Sequence, residues 1–391
     1  SATYTGSELS ALVSGAGKLQ QFATRCKAPI AFNASLKQAM TRSTHYARKA
    51  VSSLQIIIPN FHILSGVETA SGATASVTAS IEYPLGTFTQ VTFSGAALGS
   101  ITDKSFLVSD SVNVVIPRDA QFYVRIWRSN AGGIAYMGGS VPVMPTDGFV
   151  SSATTTPDLT MGGAISAATV NIFSPCGIIS NVTGRSVGVL SDSVAYGTTD
   201  VTSDQSGDMG YLEKSLCPVM GVMNLGDPSD SAALFTTAAN RANRVALLQY
   251  VTDLIIAFGT NDLSAGAANT LFNFATVVAL FPNHRVWMPT ILPRTTSTDS
   301  WVTVANQTAH ADNAARIVVN SAIRQNTVAG VFGAFEVADV VESGRNSGKF
   351  RIDDGDAAPA ITSDGVHLAT KGHRLIAMSN AVNPVRLMNP A

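Results

Sequence analysis

Charge is scarce in this sequence. Only 13% of the 391 residues are Asp, Glu, Lys or Arg, and 25 basic against 26 acidic residues leave a formal net charge of -1. A chain so balanced carries no electrostatic footprint for nucleic acid or an anionic membrane, and neither is expected as a partner. Cysteine is scarcer still. Cys26, Cys176 and Cys217 are too few and too scattered for a disulfide framework or a zinc site, so buried thiols, or one bridge with one thiol left over, are expected. Hydrophobic residues make up 46%, yet no uninterrupted run approaches the roughly 20 residues that a membrane span needs. The opening SATYTGSELS has no basic segment followed by an apolar one, so no signal peptide is expected within it. Low charge together with heavy Ser, Thr, Ala and Gly usage points to an extracellular or virion-associated protein.

What is present changes texture along the chain. At 391 residues a single core has stopped growing, so roughly two or three domains are expected. Residues 1–50 carry helical spacing in ELSALVSGAGKLQQFATR, followed by the cation-bearing MTRSTHYARKAVSS. Over 51–150 short runs such as LQIIIPNFHIL, ASVTASIEY, VNVVIP and QFYVRIWRS are rich in β-branched and aromatic residues and bounded by turn residues. They predict an antiparallel, jelly-roll-like β-sandwich. Residues 151–180 read as a small-residue connector.

From 181 to 391 strands alternate with helices. SVGVLSD, CPVMGVMNL, DLIIAFG, HRVWMPTIL and GAFEVADVV read as strands. SAALFTTAANRANRVALLQY, ANTLFNFATVVALF, TVANQTAHADNAARIVVNSAIRQ and TKGHRLIAMSNAV read as helices. Strands apolar on both faces and joined through helices predict a parallel sheet in a three-layer α/β domain. Ligands bind beyond the C-terminal ends of such strands.

The residues placed there are chemical ones. Ser191-Asp192-Ser193 follows the first strand, and Ser193 can present a free hydroxyl close to backbone N–H groups. Gly259-Thr260-Asn261-Asp262 follows the third, and the Asn261 amide can face a developing oxyanion. Near the C-terminus Asp364-Gly365-Val366-His367 places a carboxylate three residues before an imidazole, able to orient it and stabilise its charged form. Each signal alone is also that of a cap or turn. Competing motifs are weaker. Gly184-Arg185-Ser186-Val187-Gly188 has the G-x-S-x-G spacing but precedes its strand instead of following it. Asp353, Asp354 and Asp356 fit no EF-hand loop, and His45, His62, His284, His310 and His373 lack metal-ligand spacing.

The blocks SDSVAYG, NLGDPSDSA, FGTNDL and DGVHL, in this order over roughly residues 184–385, resemble the SGNH, or GDSL-type, hydrolase superfamily. The resemblance implies Ser193 as nucleophile, His367 as base, Asp364 as the residue that orients it, and Asn261 with the backbone N–H of Ser193 as oxyanion donors. Two positions depart from the pattern. Ser191 stands where a glycine is usual, and Ser229 stands where the glycine five residues after the block's asparagine, here Asn224, is expected as a third donor. The implied activity is hydrolysis of a carboxylic ester through an acyl-enzyme, needing no metal or organic cofactor. A β-sandwich before such a domain resembles two-domain carbohydrate O-acetyl esterases, which implies an acetylated glycan as substrate, with Tyr123, Trp127, Tyr136 and Trp301 as candidate stacking residues. The alternatives are a general short-acyl esterase or lipase, and a non-catalytic carbohydrate-binding or virion structural protein.

Overall fold

The computed structural model describes residues 17–138, 143–169, 172–200, 207–352 and 361–388. Six strands form a sheet in the order Cys26–Lys27, Val222–Asn224, Val187–Ser191, Asp253–Ala257, Arg285–Pro289, Val331–Phe335. Every pairing in it is parallel. Side chains alternate across a strand, so Val189 and Ile255 enter the core on one face and Leu190, Leu254 and Ile256 the core on the other. The first face is covered by helices Gly210–Leu216, Ala338–Val341 and Thr370–Met378 through Leu212, Leu216, Val341 and Ile376. Leu247, Phe274, Val277, Val319 and Ile323 cover the second from helices Ala242–Leu247, Ala267–Val278 and Asn313–Arg324. Each such side chain contributes about 1.5–3 kcal/mol by leaving water, which is why apolar runs on both faces produce this layering.

The earlier part of the chain forms two antiparallel sheets. One runs Lys18–Gln21, Gly177–Val182, Val51–Pro59, Phe106–Val108, with Val112–Ile116 also paired to Val51–Pro59. The other runs Gly99–Ile101, Ala75–Glu82, Gln121–Asn130, Gln38–Tyr46, Gly148–Ser152, with Phe88–Val91 also paired to Ala75–Glu82. Leu54, Ile56 and Ile58 of the first share one core with Val77, Ala79, Phe122, Val124 and Ile126 of the second.

Several sequence expectations are corrected. Residues 1–16 lie outside the described residues, but between Lys18 and Tyr46 the expected helical segment forms four strands, Lys18–Gln21, Cys26–Lys27, Ala31–Asn33 and Gln38–Tyr46. Lys18–Gln21 pairs with residues 179–182, and Gln38–Tyr46 lies between Gln121–Asn130 and Gly148–Ser152. Partners brought from far along the chain override the local helical spacing. The end of the expected connector is likewise a central strand, Gly177–Val182, seated between Lys18–Gln21 and Val51–Pro59. Cys217 closes the helix Gly210–Leu216 instead of opening a strand. All three cysteines are free and buried. The long helix expected before Gln325 is confined to Asn313–Arg324, and SAALFTTAANRANRVALLQY breaks into short α and 3-10 pieces.

The antiparallel and parallel parts are joined through their interiors. Ile57, Phe61, Cys176 and Ile179 pack in the same core as Leu190, Met223, Leu225 and Phe235. The edge strand Cys26–Lys27 completes the parallel sheet, and Lys27 Nζ lies 2.8 Å from Glu213 Oε1 in a buried ion pair. No helix among the described residues is long and apolar enough to cross a membrane. Those residues also hold no His, Cys, Asp and Glu cluster suited to a metal ion.

Candidate active site

Parallel strands end on one side of their sheet, so the turns after Ser191 and Ala257 arrive together. Asp192 is the hub of that meeting. Its Oδ1 accepts the N–H of Val194 at 3.0 Å, capping the short helix Ser193–Tyr196, and its Oδ2 accepts the N–H of Thr260 at 3.1 Å. Gly197, at φ 95°, ends the helix. Burial pushes the Asp192 carboxyl up to about 7, and the two backbone N–H groups only partly offset it.

Ser193 opens this helix and is only 7% exposed. Its Oγ lies 2.8 Å from His367 Nε2, and His367 Nδ1 lies 2.6 Å from Asp364 Oδ2. The other oxygen, Asp364 Oδ1, accepts the N–H groups of Val366 and His367, both at 2.8 Å. Partial burial raises the Asp364 carboxyl, but the His367 ring and these N–H groups together outweigh it and hold the group below its usual range. An ionised Asp364 requires the ring proton on Nδ1, which leaves Nε2 to accept from the Ser193 hydroxyl. Gly365 makes the turn possible: its φ is 77°, and a Cβ there would lie 2.0 Å from the Thr295 carbonyl. The sequence-expected trio is thus brought together from a strand end and a loop 174 positions apart.

Ser193, Ser229, Thr260, Asn261, Arg294 and His367 border one cavity of about 340 Å³. The expected oxyanion donors therefore share a space, but they are engaged. The N–H of Ser193 donates to Pro228 O at 2.9 Å, that of Ser229 to Asp227 Oδ2 at 3.3 Å, and Asn261 Nδ2 to Asp230 O at 2.9 Å. The cause is the loop after Val222–Asn224, which folds back onto the Ser193 turn, with the Asp227 N–H on Ser191 O at 3.1 Å. Asn261 is exposed at the cavity and retains one amide hydrogen.

The unusual Ser191 has a local explanation. Its hydroxyl is fully buried, and a Cβ at Gly226 would lie 2.1 Å from it. The side chain gained at position 191 occupies the room left by the missing one at 226.

Three polar residues near the site have no role in the sequence pattern. Asp262 caps the helix Ala232–Phe235 by accepting the N–H groups of Ala232 at 3.1 Å and Ala233 at 3.0 Å. Asp230 is buried against Arg244, and burial pushes its carboxyl up to about 6 despite that cation. Arg294 Nη1 donates to Thr260 O at 3.4 Å and to Asp312 Oδ2 at 3.1 Å. Each lies in a loop that follows a strand of the parallel sheet, which is the signal that could have flagged them.

Other candidates lie elsewhere. The Ser186 hydroxyl donates to Gln20 Oε1 at 2.9 Å within the core. His45 and His373 are buried, and loss of hydration pushes both rings down to about 4. Asp353, Asp354 and Asp356 lie outside the described residues. Tyr123 is buried, Tyr136 belongs to the strand Ile134–Tyr136, and Trp127 Nε1 donates to Thr156 O at 2.8 Å. Trp301 alone of the four approaches the His367 loop, its ring 2.7 Å from where a Cβ on Gly365 would stand.

No family model and no curated protein matches the chain. Among solved structures it is similar to a carbohydrate acetylesterase from Sinorhizobium meliloti at 16% identity, over 52% of this chain and 99% of that one, with a TM-score of 0.35. It is similar to an aryl esterase from M. smegmatis at 15% identity, over 52% and 99% of the two chains, again with a TM-score of 0.35. A lipase/acylhydrolase from Enterococcus faecalis aligns at 15% identity over 53% and 98%, with a TM-score of 0.35. These structural neighbours are thus an acetylesterase, an aryl esterase and a lipase/acylhydrolase, each at low identity and over about half of this chain.

Proposed function

We propose that this chain is a serine esterase that hydrolyses carboxylic esters through an acyl-enzyme and removes O-acetyl groups from carbohydrate. The hydrogen-bonded series Ser193, His367, Asp364 carries the reading. Ser193 Oγ attacks the ester carbonyl while His367 Nε2 takes its proton. Asp364 keeps the imidazole in the tautomer that can accept it and stabilises the resulting imidazolium. Collapse of the tetrahedral intermediate returns the proton to the leaving alcohol. A water activated by the same imidazole then attacks the acyl-Ser193 ester, releasing acetate and restoring the hydroxyl. Asn261 offers its remaining amide hydrogen to the oxyanion, and swinging the Pro228 carbonyl aside releases the Ser193 N–H as a second donor.

A short acyl group suits the cavity. About 340 Å³ lies at the small end of ligand sites, room for an acetyl group and part of the alcohol half. The antiparallel part, as a jelly-roll-like sandwich, would hold the glycan from which the acetyl group is cut. Hydrolysis of p-nitrophenyl acetate by wild type and Ser193→Ala tests the reading: a loss of about 10⁴-fold or more is expected. Equal rates would remove the claim. Octanoyl ester hydrolysed faster than acetyl would shift the assignment to a lipase.

One observation favours a second reading, in which the fold serves a carbohydrate-binding or virion structural protein without catalysis. The N–H groups of Ser193 and Ser229 are both engaged within the protein. Glycan binding by wild type with no ester cleavage would support it.

A further inference from the structure

Arg294 brings a cation to the cavity that holds Ser193 and His367, and no Asp or Glu is among the described residues that line it. Its side chain is 26% exposed, so the charge is partly withdrawn from water without being sealed away. Among the described residues its countercharge is Asp312, to which Nη1 donates at 3.1 Å. Asp312 is itself shared, since its Oδ1 lies 2.8 Å from His310 Nδ1. The same Nη1 also donates to Thr260 O at 3.4 Å.

The opposite edge of the guanidinium is therefore the one left over. Nε is shielded from solvent and makes no hydrogen bond to any described residue, and Nη2 makes none either. Nε and Nη2 form the fork that meets the two oxygens of a carboxylate side by side. A shielded donor without an acceptor carries an uncompensated desolvation cost that an incoming anion would relieve.

We propose that Arg294 is a specificity-determining residue that receives a carboxylate carried by the ester substrate, so that the preferred substrates are acyl esters bearing an anionic group close to the scissile bond. The inference rests on the esterase reading and narrows it to acidic substrates, such as an acetylated sugar acid. The carboxylate can stand on the alcohol half or on the acyl half, and two substrate pairs separate these. Acetoxybenzoate against its methyl ester probes the alcohol half, and p-nitrophenyl hemisuccinate against p-nitrophenyl butyrate probes the acyl half.

The quantity read is the charged-to-neutral ratio of kcat/KM, compared between wild type and Arg294→Gln, which cancels the intrinsic reactivity of each ester. On one of the two pairs the wild-type ratio is expected to exceed the variant's by about tenfold or more, mostly through KM. Arg294→Lys should keep part of the preference as a point charge, and Asp312→Asn should raise it by freeing the guanidinium from its countercharge. Added salt should erode the preference in wild type and leave the Arg294→Gln ratio unmoved. Ratios equal in wild type and Arg294→Gln on both pairs, with p-nitrophenyl acetate still cleaved, would overturn the role of Arg294 and leave the esterase intact. Wild type and Ser193→Ala alike on p-nitrophenyl acetate would instead overturn the esterase itself.

Discussion

The two sides of the candidate site are held in opposite ways. Ser193 stands on a buried turn whose fixed points are backbone atoms: Asp192 binds the N–H groups of Val194 and Thr260, and Pro228 and Ser191 carbonyls bind the N–H groups of Ser193 and Asp227. His367 stands on a partly exposed loop and is held by Asp364, whose side chain is 41% exposed. The serine's position is thus part of the sheet's interior, whereas the histidine's position is a local arrangement four residues long. Damage on the first side should appear in stability, and damage on the second in turnover.

Asp364→Asn gives the largest expected effect and the sharpest form of the contrast. An amide in that place favours the wrong imidazole tautomer, and kcat should fall by about 10⁴-fold. The exposed loop adds little to the core, so the thermal midpoint should move by a few degrees at most. A large loss of stability with modest loss of rate would break the comparison.

Asp192→Asn tests the other side. The variant turns an amide NH2 toward one of two backbone N–H groups, a cost of about 1–3 kcal/mol in stability. The sign of its pH dependence follows from burial. The folded carboxyl is raised to about 7 from its usual 3.8, so its contribution is fully present below pH 4 and is lost as pH rises through 7. Denaturant titrations of both proteins between pH 4 and pH 8 should therefore show wild type losing on the order of 4 kcal/mol relative to the variant, so that the gap closes and then reverses. A gap independent of pH would show that the two N–H bonds, not burial, govern Asp192.

The smallest effect is the most local. Gly226→Ala should cost about 1–3 kcal/mol by driving a methyl group into the Ser191 hydroxyl. Ser191→Gly should recover most of that loss in the double variant, because the two positions share one space. Thermal midpoints of the four proteins in the cycle give the coupling; additivity would mean that the positions adjust independently.

How much of this was legible in the sequence follows the same division. The parallel strands announce themselves, since Leu254-Ile255-Ile256 feeds both faces of a covered sheet and must read as an apolar run. Ser193, Asn261, Asp364 and His367 were legible because a strand end or a tight loop places each of them and their types are chemical. What local pattern could not carry was pairing at a distance. Leu19, Phe22 and Ala23 have spacing fit for a helix, yet Leu19 lies beside Asn181 and the Phe22 N–H donates to Ile178 O. The engagement of the Ser193 N–H by Pro228 was equally hidden, because it depends on how one loop folds over another. Arg294 sits in a loop without a recognisable motif, and its place at the cavity follows from where the Arg285–Pro289 strand ends.

The two-residue strand Cys26–Lys27 carries a consequence for how the molecule is made. It is synthesised before either antiparallel sheet is complete, yet its partner, Met223-Asn224, emerges almost two hundred residues later. Contacts of such sequence separation are slow to form, because the closure entropy of the long loop must be overcome before they stabilise anything. On the ribosome the early segment has to wait, and the half-built sheet presents Val222–Asn224 as an open edge until it docks. A fragment beginning after residue 180 would keep the Ser193, His367 and Asp364 triad on its own chain and expose that edge permanently, with the self-association that unpaired strands invite.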